Sequence, residues 1–385
     1  MTTRTTTMQR PQKYYLKNIC NALYYLGVAD CWYEIRDVKY PIMRKVYSLI
    51  ANVFGIIFIA NGLAAHFTPD LTFKEKNDLL IYSYGFPAIT LKVIIVYVRK
   101  EEIKMFLKKL VEDEEFDESA VKAAKLVIKT MIITVYSVSA VQMSVGFKDY
   151  FVEDIPIRIE VLFFPRETDT GHLVNTIRVL GVIHFWYMIC VMTAVECLCL
   201  CALVFIRFKF IRIRVFFEEM EKIPFSSELY EKRFVKGVEL YKKTLWCAHN
   251  VQKAIGGVYS VQIVESLSLL VIFLLRIIYA GSDMMLFLVS LSSYLFMVLL
   301  TGLYMMYSAN VSYEALQVPT AVFHCGWENV KIKAGLRKLI VVTLQQSQKQ
   351  IHMTAFGVIN LSYETFITVR FGLLSKTLKV STMFL

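Results

Sequence analysis

Apolar residues along this chain gather into seven blocks, separated by polar and mostly basic segments. The first runs from about Met43 to His66, the second from Asp78 to Val98, the third from Leu126 to Phe147 and the fourth from Ile177 to Ile206. The fifth covers Val258 to Ala280, the sixth Met284 to Tyr307, and the seventh begins near Ile351. A hydrocarbon core about 30 Å thick is crossed by ~20 helical residues. Inside it, only helices and closed barrels satisfy their own backbone groups. The pattern therefore predicts an all-α polytopic membrane protein with seven transmembrane helices.

Lys and Arg in the connections set the orientation, because those residues accumulate on the cytoplasmic side. Segments 1–42, 99–125, 207–257 and 308–350 hold 29 of them, whereas 67–77, 148–176, 281–283 and the tail after Ser375 hold 7. The amino terminus is expected to be cytoplasmic and the carboxyl terminus extracellular, the reverse of a G-protein-coupled receptor. The first 40 residues carry Arg4, Arg10, Lys13 and Lys17, with no short apolar core and cleavage site. The first span is thus expected to serve as its own insertion signal.

The inner segments carry helical patterns of their own. Leu203 to Ile223 mixes Arg207, Lys209, Arg212 and Arg214 with Phe and Ile, so span 4 should continue below the membrane until Pro224, with Ser226–Ser227 offering the next cap. Phe234, Val238, Tyr241, Leu245, Ala248 and Ile255 then recur at steps of three and four, a stripe expected to end at Gly256–Gly257. Val330 to Leu344 forms a second amphipathic stretch. Such faces bury either on one another, as a cytoplasmic helical subdomain joining spans 4 to 7 and subunits, or on the inner leaflet. Leu16, Ile19, Leu23 and Leu26 share one helical face in the tail, as a short interfacial helix would. The acidic run Glu112–Glu115, with Asp117 and Glu118, lacks calcium-loop spacing and reads as a solvated loop.

Composition narrows the class further. With 56% hydrophobic residues, 19% charged and a mean hydropathy of +0.50, the 385-residue chain is too apolar for disorder or a string of soluble domains. The net charge of +11 is spread over the connections rather than gathered in a basic domain, so nucleic acid is not an expected partner. None of the eight cysteines falls in an outer segment, where a disulfide could form. Cys197, Cys199 and Cys201 splay round a helix axis at that spacing and read as packing residues, not metal ligands. No zinc-protease, nucleophile-elbow, phosphate-loop or dinucleotide motif is present, so neither enzymatic activity nor a cofactor is expected. Asn310-Val-Ser and Asn360-Leu-Ser match the glycosylation triplet, but one reads as cytoplasmic and the other as within a span.

Charge inside a bilayer needs a reason, since each centrally placed ion costs about 2.5–3.5 kcal/mol on insertion scales. Lys92, Lys129 and Arg178 lie where their side chains can snorkel to an interface. Glu196, Glu265, Arg276, Glu364 and Arg370 call for either an interhelical pair or a water-filled pathway. Glu364 and Arg370, on the last span, suit the wet face of a pore. The outer halves of spans 2, 3, 4 and 6 carry a candidate ligand-binding set: Tyr82, Phe86, Ser139, Met143, His184, Tyr187, Met188, Phe287, Ser290 and Tyr294. Aromatic and Met walls with a few hydrogen-bonding groups suit a small apolar molecule, although such residues also serve as ordinary packing. Burying ~250 Å² of ligand at about 25 cal/mol per Å² yields roughly 6 kcal/mol. Micromolar affinity corresponds to about −8 kcal/mol, so binding should be weak and tolerant of shape.

The carboxyl-terminal part carries a resemblance. Trp327, then Ser347-Gln-Lys-Gln, then Leu361-Ser-Tyr-Glu-Thr-Phe366 stand in the order and spacing of motifs in the insect odorant receptor family, where Ser-x-Lys-Pro and Ser-Leu-Glu-Thr-Phe occur. Size, inverted seven-span topology, a long second inner loop and a very short third outer loop extend the resemblance over the full length. It implies an odorant-binding subunit of a ligand-gated non-selective cation channel in the plasma membrane of olfactory neuron dendrites. The implied partners are a small volatile odorant, the lipid bilayer, and the odorant receptor co-receptor (Orco) in a heterotetramer round a central pore lined by span 7. The pocket among spans 2, 3, 4 and 6 coincides with the candidate set above.

The implied division is a tail at 1–42, spans 1–4 on the odorant-pocket side at 43–206, and an anchor segment at 207–257. Spans 5–6 follow at 258–307, a second anchor segment at 308–350, and the pore-lining span 7 with a short outer tail at 351–385. Members of the family usually end in an aromatic-Ser-aromatic-Phe-Thr-Leu-Leu-like stretch that narrows the pore. Here Ser375 fits, but Lys376, Thr377, Leu378 and Lys379 follow. Lysines facing a cation path repel the ion, so either they point away or the co-receptor supplies the gate. The implied gate residues are Lys379, Val380 and Met383. The competing readings are a gustatory-receptor-type channel, whose Thr-Tyr…Gln-Phe signature is missing, and a secondary transporter, whose paired halves are not visible.

Overall fold

A computed structural model describes residues 11–34, 41–65, 67, 73–112, 118–152, 171–222, 227–279, 284–329 and 333–368. In chain order the helices are α1 (Pro11–Tyr25), α2 (Pro41–Ala65), α3 (Phe73–Val98), α4 (Lys100–Val111), α5 (Glu118–Val152), α6 (His172–Glu221), α7 (Ser227–Tyr279), α8 (Met284–Phe323) and α9 (Ala334–Ser347). A two-stranded hairpin of β1 (Thr354–Ala355) and β2 (Ile359–Asn360) follows, and helix resumes over 363–368. Six of the apolar blocks thus lie on α2, α3, α5, α6, α7 and α8.

Helix α2 shows why a bilayer is needed. Met43, Val46, Leu49, Ile50, Val53, Ile56 and Ile57 are all exposed on it. An apolar face of that extent is not left to water and marks the lipid boundary. Helix α6 is the opposite case: it is apolar all round, and nearly all of its most apolar stretch is buried among α3, α5, α7 and α8. A helix hydrophobic on every side belongs at the centre of a bundle. Cys197, Cys199 and Cys201 are buried there, and no disulfide forms among the eight cysteines.

The extensions expected on the cytoplasmic side are continuous with the spans. Helix α6 runs 50 residues, well past Ile206, and ends at Glu221; Pro224 and Ser226 lie outside the described residues. On α7 the stripe residues Phe234, Tyr241, Ala248 and Ile255 are buried. They face α6, α4 and the rest of the chain, so most of this stripe is covered by protein rather than lipid. Helix α4 was not anticipated; Ile103, Phe106, Leu107 and Leu110 make its buried face. The tail helix α1 likewise buries Leu16, Ile19 and Leu23 against α5 and α6 rather than lying on the interface. Glu34 ties α1 to the segment that follows it, accepting from Trp32 Nε1 at 3.0 Å and pairing with Lys13 and, at 3.5 Å, Lys17. The bonds from Lys13 and Trp32 lower the Glu34 carboxyl to about 2.

Four expectations are corrected. Gly256–Gly257 does not end a helix: α7 passes straight through for 53 residues. The glycines serve contact instead, since a Cβ at Gly257 would lie 3.2 Å from Ile95 and one at Gly256 would lie 2.5 Å from Gln252 Nε2. Lys92 does not snorkel. It is 1% exposed and donates to Glu196 Oε1 at 2.7 Å, to Glu265 Oε2 at 2.6 Å and to Gln262, while Tyr304 donates to Glu196. Glu196 and Glu265 thereby take the interhelical-pair alternative. Arg178 is buried too, whereas Lys129 is exposed.

The last correction is that the final helix does not start near Ile351. Residues 351–361 form the hairpin, and Asn360 sits on a strand rather than within a span. Phe356 and Gly357 both have positive φ, as a type I′ turn requires, and Val358 N–H closes the turn on Ala355 O at 3.2 Å. Gln252 grips the hairpin through Nε2 to Thr354 O at 2.5 Å and receives Thr354 N–H on Oε1 at 3.2 Å. Ser260 Oγ accepts from Phe356 N–H at 2.8 Å. Ser362 then caps the final helix, its Oγ accepting Thr365 N–H at 3.2 Å. The motif Leu361-Ser-Tyr-Glu-Thr-Phe366 is therefore a capped helix start. Leu361 is buried in front of the cap, and Tyr363 Oη donates to Asn310 Oδ1 at 2.9 Å.

Candidate functional site

The candidate ligand residues form two groups, one round His184 of α6 and one between α5 and α8. The first is aromatic. His184 is buried on α6 with its ring 5.7 Å from Phe86 of α3, 5.8 Å from Phe54 of α2 and 6.1 Å from Tyr187. Phe86 also meets Phe185 edge-on at 6.4 Å. The contacts with Phe54 and Phe86 are edge-to-face, a favoured geometry for such rings, while the Tyr187 ring is tilted against His184. Gly55 of α2 faces the same ring, where a Cβ would lie in ordinary contact at 3.4 Å from His184 Cε1. Tyr187 Oη donates to Leu26 O at 2.9 Å, so its hydroxyl ties α6 to the chain after α1. Met188 is buried alongside in the same core cluster.

The second group is polar and lies between α5 and α8. Gln142 Nε2 donates to Ser293 Oγ at 2.9 Å, and Ser293 Oγ donates to Val289 O at 2.8 Å. Ser139 and Ser290 sit one helical turn away on their helices, both buried. Among the described residues Ser290 Oγ has no hydrogen-bond partner. A buried hydroxyl without one is unfavourable by about 1–3 kcal/mol, and a ligand that can pair with it removes that penalty. Met143 packs half-buried against the main core, and Phe287 is half-buried on α8. Tyr294 packs instead on a satellite cluster with Leu269, Leu270, Ile272, Phe273 and Met297, shared by α7 and α8.

The structure thus joins Phe86, His184 and Tyr187 by direct ring contact, and places Ser139 and Ser290 beside one polar bridge. Tyr82 is on α3, but its side chain lies outside the described residues, as do Arg370, Lys379, Val380 and Met383. Glu364 is exposed on the final helix. Phe54, Gln142 and Ser293 are additions to the set. Gln142 had a signal, being a strongly polar side chain inside an apolar span, and Phe54 had one in its neighbour Gly55.

The bundle of apolar helices, with α6, α7 and α8 extended well past any bilayer and a hairpin before the last helix, defines a seven-span helical membrane protein. The sequence model of the 7tm Odorant receptor family matches residues 72–371. The chain belongs to the 7tm odorant receptor family. Its fold is similar to that of the insect olfactory receptor OR5 from Machilis hrabei in complex with eugenol, with a TM-score of 0.76 at 10% identity, covering 96% of this chain and 98% of that one. The same receptor's structure reported without a named ligand matches with a TM-score of 0.74 at 12% identity, covering 96% and 97%. No curated protein sequence matches. The chain is an olfactory receptor of the membrane, not an enzyme.

Proposed function

We propose that this chain is the odorant-binding subunit of a ligand-gated, non-selective cation channel that assembles with the co-receptor Orco as a heterotetramer in the plasma membrane of olfactory neuron dendrites. The observation that carries the ligand reading is the Ser290 hydroxyl, buried opposite α5 with no hydrogen-bond partner among the described residues, in a fold similar to a receptor solved with eugenol. The aromatic group round His184 supplies apolar contact, and Ser139, Gln142 and Ser290 supply the few polar ones. The excess of Lys and Arg in alternate connections supports a cytoplasmic amino terminus. Glu364 and Arg370 are proposed to edge the pore, with Lys379, Val380 and Met383 near its outer end.

Whole-cell recording with an odorant panel tests this. The expected result is a fast cation current that requires both chains and survives block of G-protein signalling. Loss of current under that block overturns the channel reading, and current from this chain alone overturns the need for the co-receptor. Ser290→Ala should weaken odorants bearing a hydroxyl or carbonyl roughly tenfold, about 1.4 kcal/mol, and leave hydrocarbons unchanged. Equal responses of both classes to the substitution sink the pocket assignment.

A further inference from the structure

Lys92 of α3, Glu196 of α6 and Glu265 of α7 meet inside the helical bundle, at residues outside the candidate ligand set. The Lys92 ammonium donates to Glu196 Oε1 at 2.7 Å, Glu265 Oε2 at 2.6 Å and Gln262 Oε1, which uses all three of its protons. Tyr304 of α8 donates to Glu196 Oε2, so both oxygens of Glu196 are engaged. Exposure is 0% for Glu196, 1% for Lys92 and 6% for Glu265. One ammonium against two carboxylates leaves a net charge of −1. A sealed apolar environment does not hold such a charge uncompensated, and a carboxyl resolves it by taking a proton.

Two further observations point to a seat for that proton. Lys92 engages Glu265 through Oε2, and Glu265 is the more exposed of the two carboxyls. Tyr259, 1% exposed, packs its ring 5.4 Å from that of Tyr304 and lies within electrostatic reach of Glu196. Its hydroxyl has no hydrogen-bond partner among the described residues, so a buried polar group faces the same cluster unsatisfied. The groups facing the carboxyl pair are Lys92 from α3, Cys199 from α6, Tyr259 from α7 and Tyr304 from α8. A metal cation would stand against the ammonium, whereas a proton needs neither room nor distance from it.

We propose that this cluster is a binding site for one exchangeable proton, seated on the Glu265 carboxyl, which neutralises the junction of α3, α6 and α7. The step is reversible protonation of the carboxylate from water. Release of the proton leaves the junction with a buried negative charge and loosens it.

Infrared difference spectroscopy on the purified full-length receptor in lipid nanodiscs tests the site without recourse to current, so it stands or falls apart from the channel reading. At neutral pH the wild type should show one protonated-carboxyl band that shifts in deuterated water. Glu265→Gln should lose it, and Glu364→Gln, on an exposed residue, should keep it. Lys92→Met removes the cation, so both carboxyls should bind protons and the band should double. No protonated-carboxyl band in the wild type overturns the proposal, as does a band that persists in Glu265→Gln. Should Glu265→Gln fail to fold, an unchanged band in Lys92→Met is equally fatal.

Discussion

Gln252 is the only side chain among the described residues that holds both backbone groups of Thr354, and removing it gives a quantitative test of how α7 positions the last helix. Two partly buried hydrogen bonds, at about 0.5–1.5 kcal/mol each, make the grip worth about 1–3 kcal/mol. At 1.4 kcal/mol per factor of ten, Gln252→Ala should raise local opening of the hairpin roughly 5- to 100-fold. Hydrogen exchange over residues 352–361, read by mass spectrometry on the receptor in nanodiscs, measures that opening. Gly256→Ala supplies the internal control. Its new Cβ would stand 2.5 Å from Gln252 Nε2 and push the amide off Thr354, so on the wild type it should mimic Gln252→Ala. In the Gln252→Ala background nothing remains to be pushed, and the second change should add nothing. Unchanged exchange in Gln252→Ala, or simple addition of the two effects, refutes the grip.

Three other outcomes follow from local chemistry. Ser362→Ala removes the cap of the final helix and should destabilise its first turn by about 1 kcal/mol, seen as faster exchange at Thr365, while Ser362→Asp should retain protection. Glu34 has its carboxyl lowered from the ordinary value of 4.5 to about 2 by Lys13 and Trp32, so its tie between α1 and the following segment contributes above pH ~4.5 and is lost as the pH falls towards 2. The fluorescence of Trp32, bonded to Glu34, should change over that window in the wild type and stay flat in Glu34→Gln. Replacing Glu314 by Leu removes the carboxylate bonded to Arg214 at 2.8 Å and paired with Arg207 at 3.7 Å, leaving Arg214 its pair with Glu218 at 3.6 Å. Thermal unfolding should drop more for Glu314→Leu than for Arg214→Ala, because the latter leaves Glu314 with its second arginine.

The parts of the fold legible in sequence were those set by residues close in the chain. Spans 1 to 6, the run of α6 past Ile206 and the α7 stripe each follow from local periodicity. Lys92 illustrates the opposite case: its partners lie 104 and 173 residues away, and only the packing of three helices brings them together. Taken alone, a lysine near a span end has a sound reason to snorkel. Gly256–Gly257 misled for a related reason, because a glycine pair weakens an isolated helix but permits close approach once Ile95 packs against it. The hairpin did leave a readable trace. Ile351, Met353 and Ala355 are buried and alternate with the more exposed His352, Thr354 and Phe356, a period of two that argues for a strand rather than a span. In the ligand set, the contact of His184 with Phe86 joins two spans that sequence placed only in a common outer half. Tyr294 turned to α7 because helix rotation, invisible in a single sequence, decides which neighbour a residue meets.

The helices that carry the candidate ligand groups also carry the buried charges, and one of those helices grips the hairpin. On α3, Phe86 stands six residues, about 9 Å, from Lys92; on α6, Met188 stands eight residues, about 12 Å, from Glu196. On α7, Glu265 and Gln252 are separated by thirteen residues, about 20 Å of unbroken helix. A ligand that moves α3 against α6 must strain the Lys92 bonds, and strain on Glu265 acts on the helix that holds Thr354. Contiguity of this kind becomes coupling only if the two ends fail to act independently. Phe86→Ala and Gln252→Ala touch no common residue, so under independence their effects on the odorant response should add within about 0.3–0.5 kcal/mol. A double-mutant cycle on half-maximal odorant concentration is expected to show a coupling of about 0.5–2 kcal/mol, up to roughly 30-fold. That coupling should vanish in Lys92→Met, which cuts the route in the middle. Additivity in the presence of Lys92 refutes the route, and coupling that survives its removal means the signal travels elsewhere.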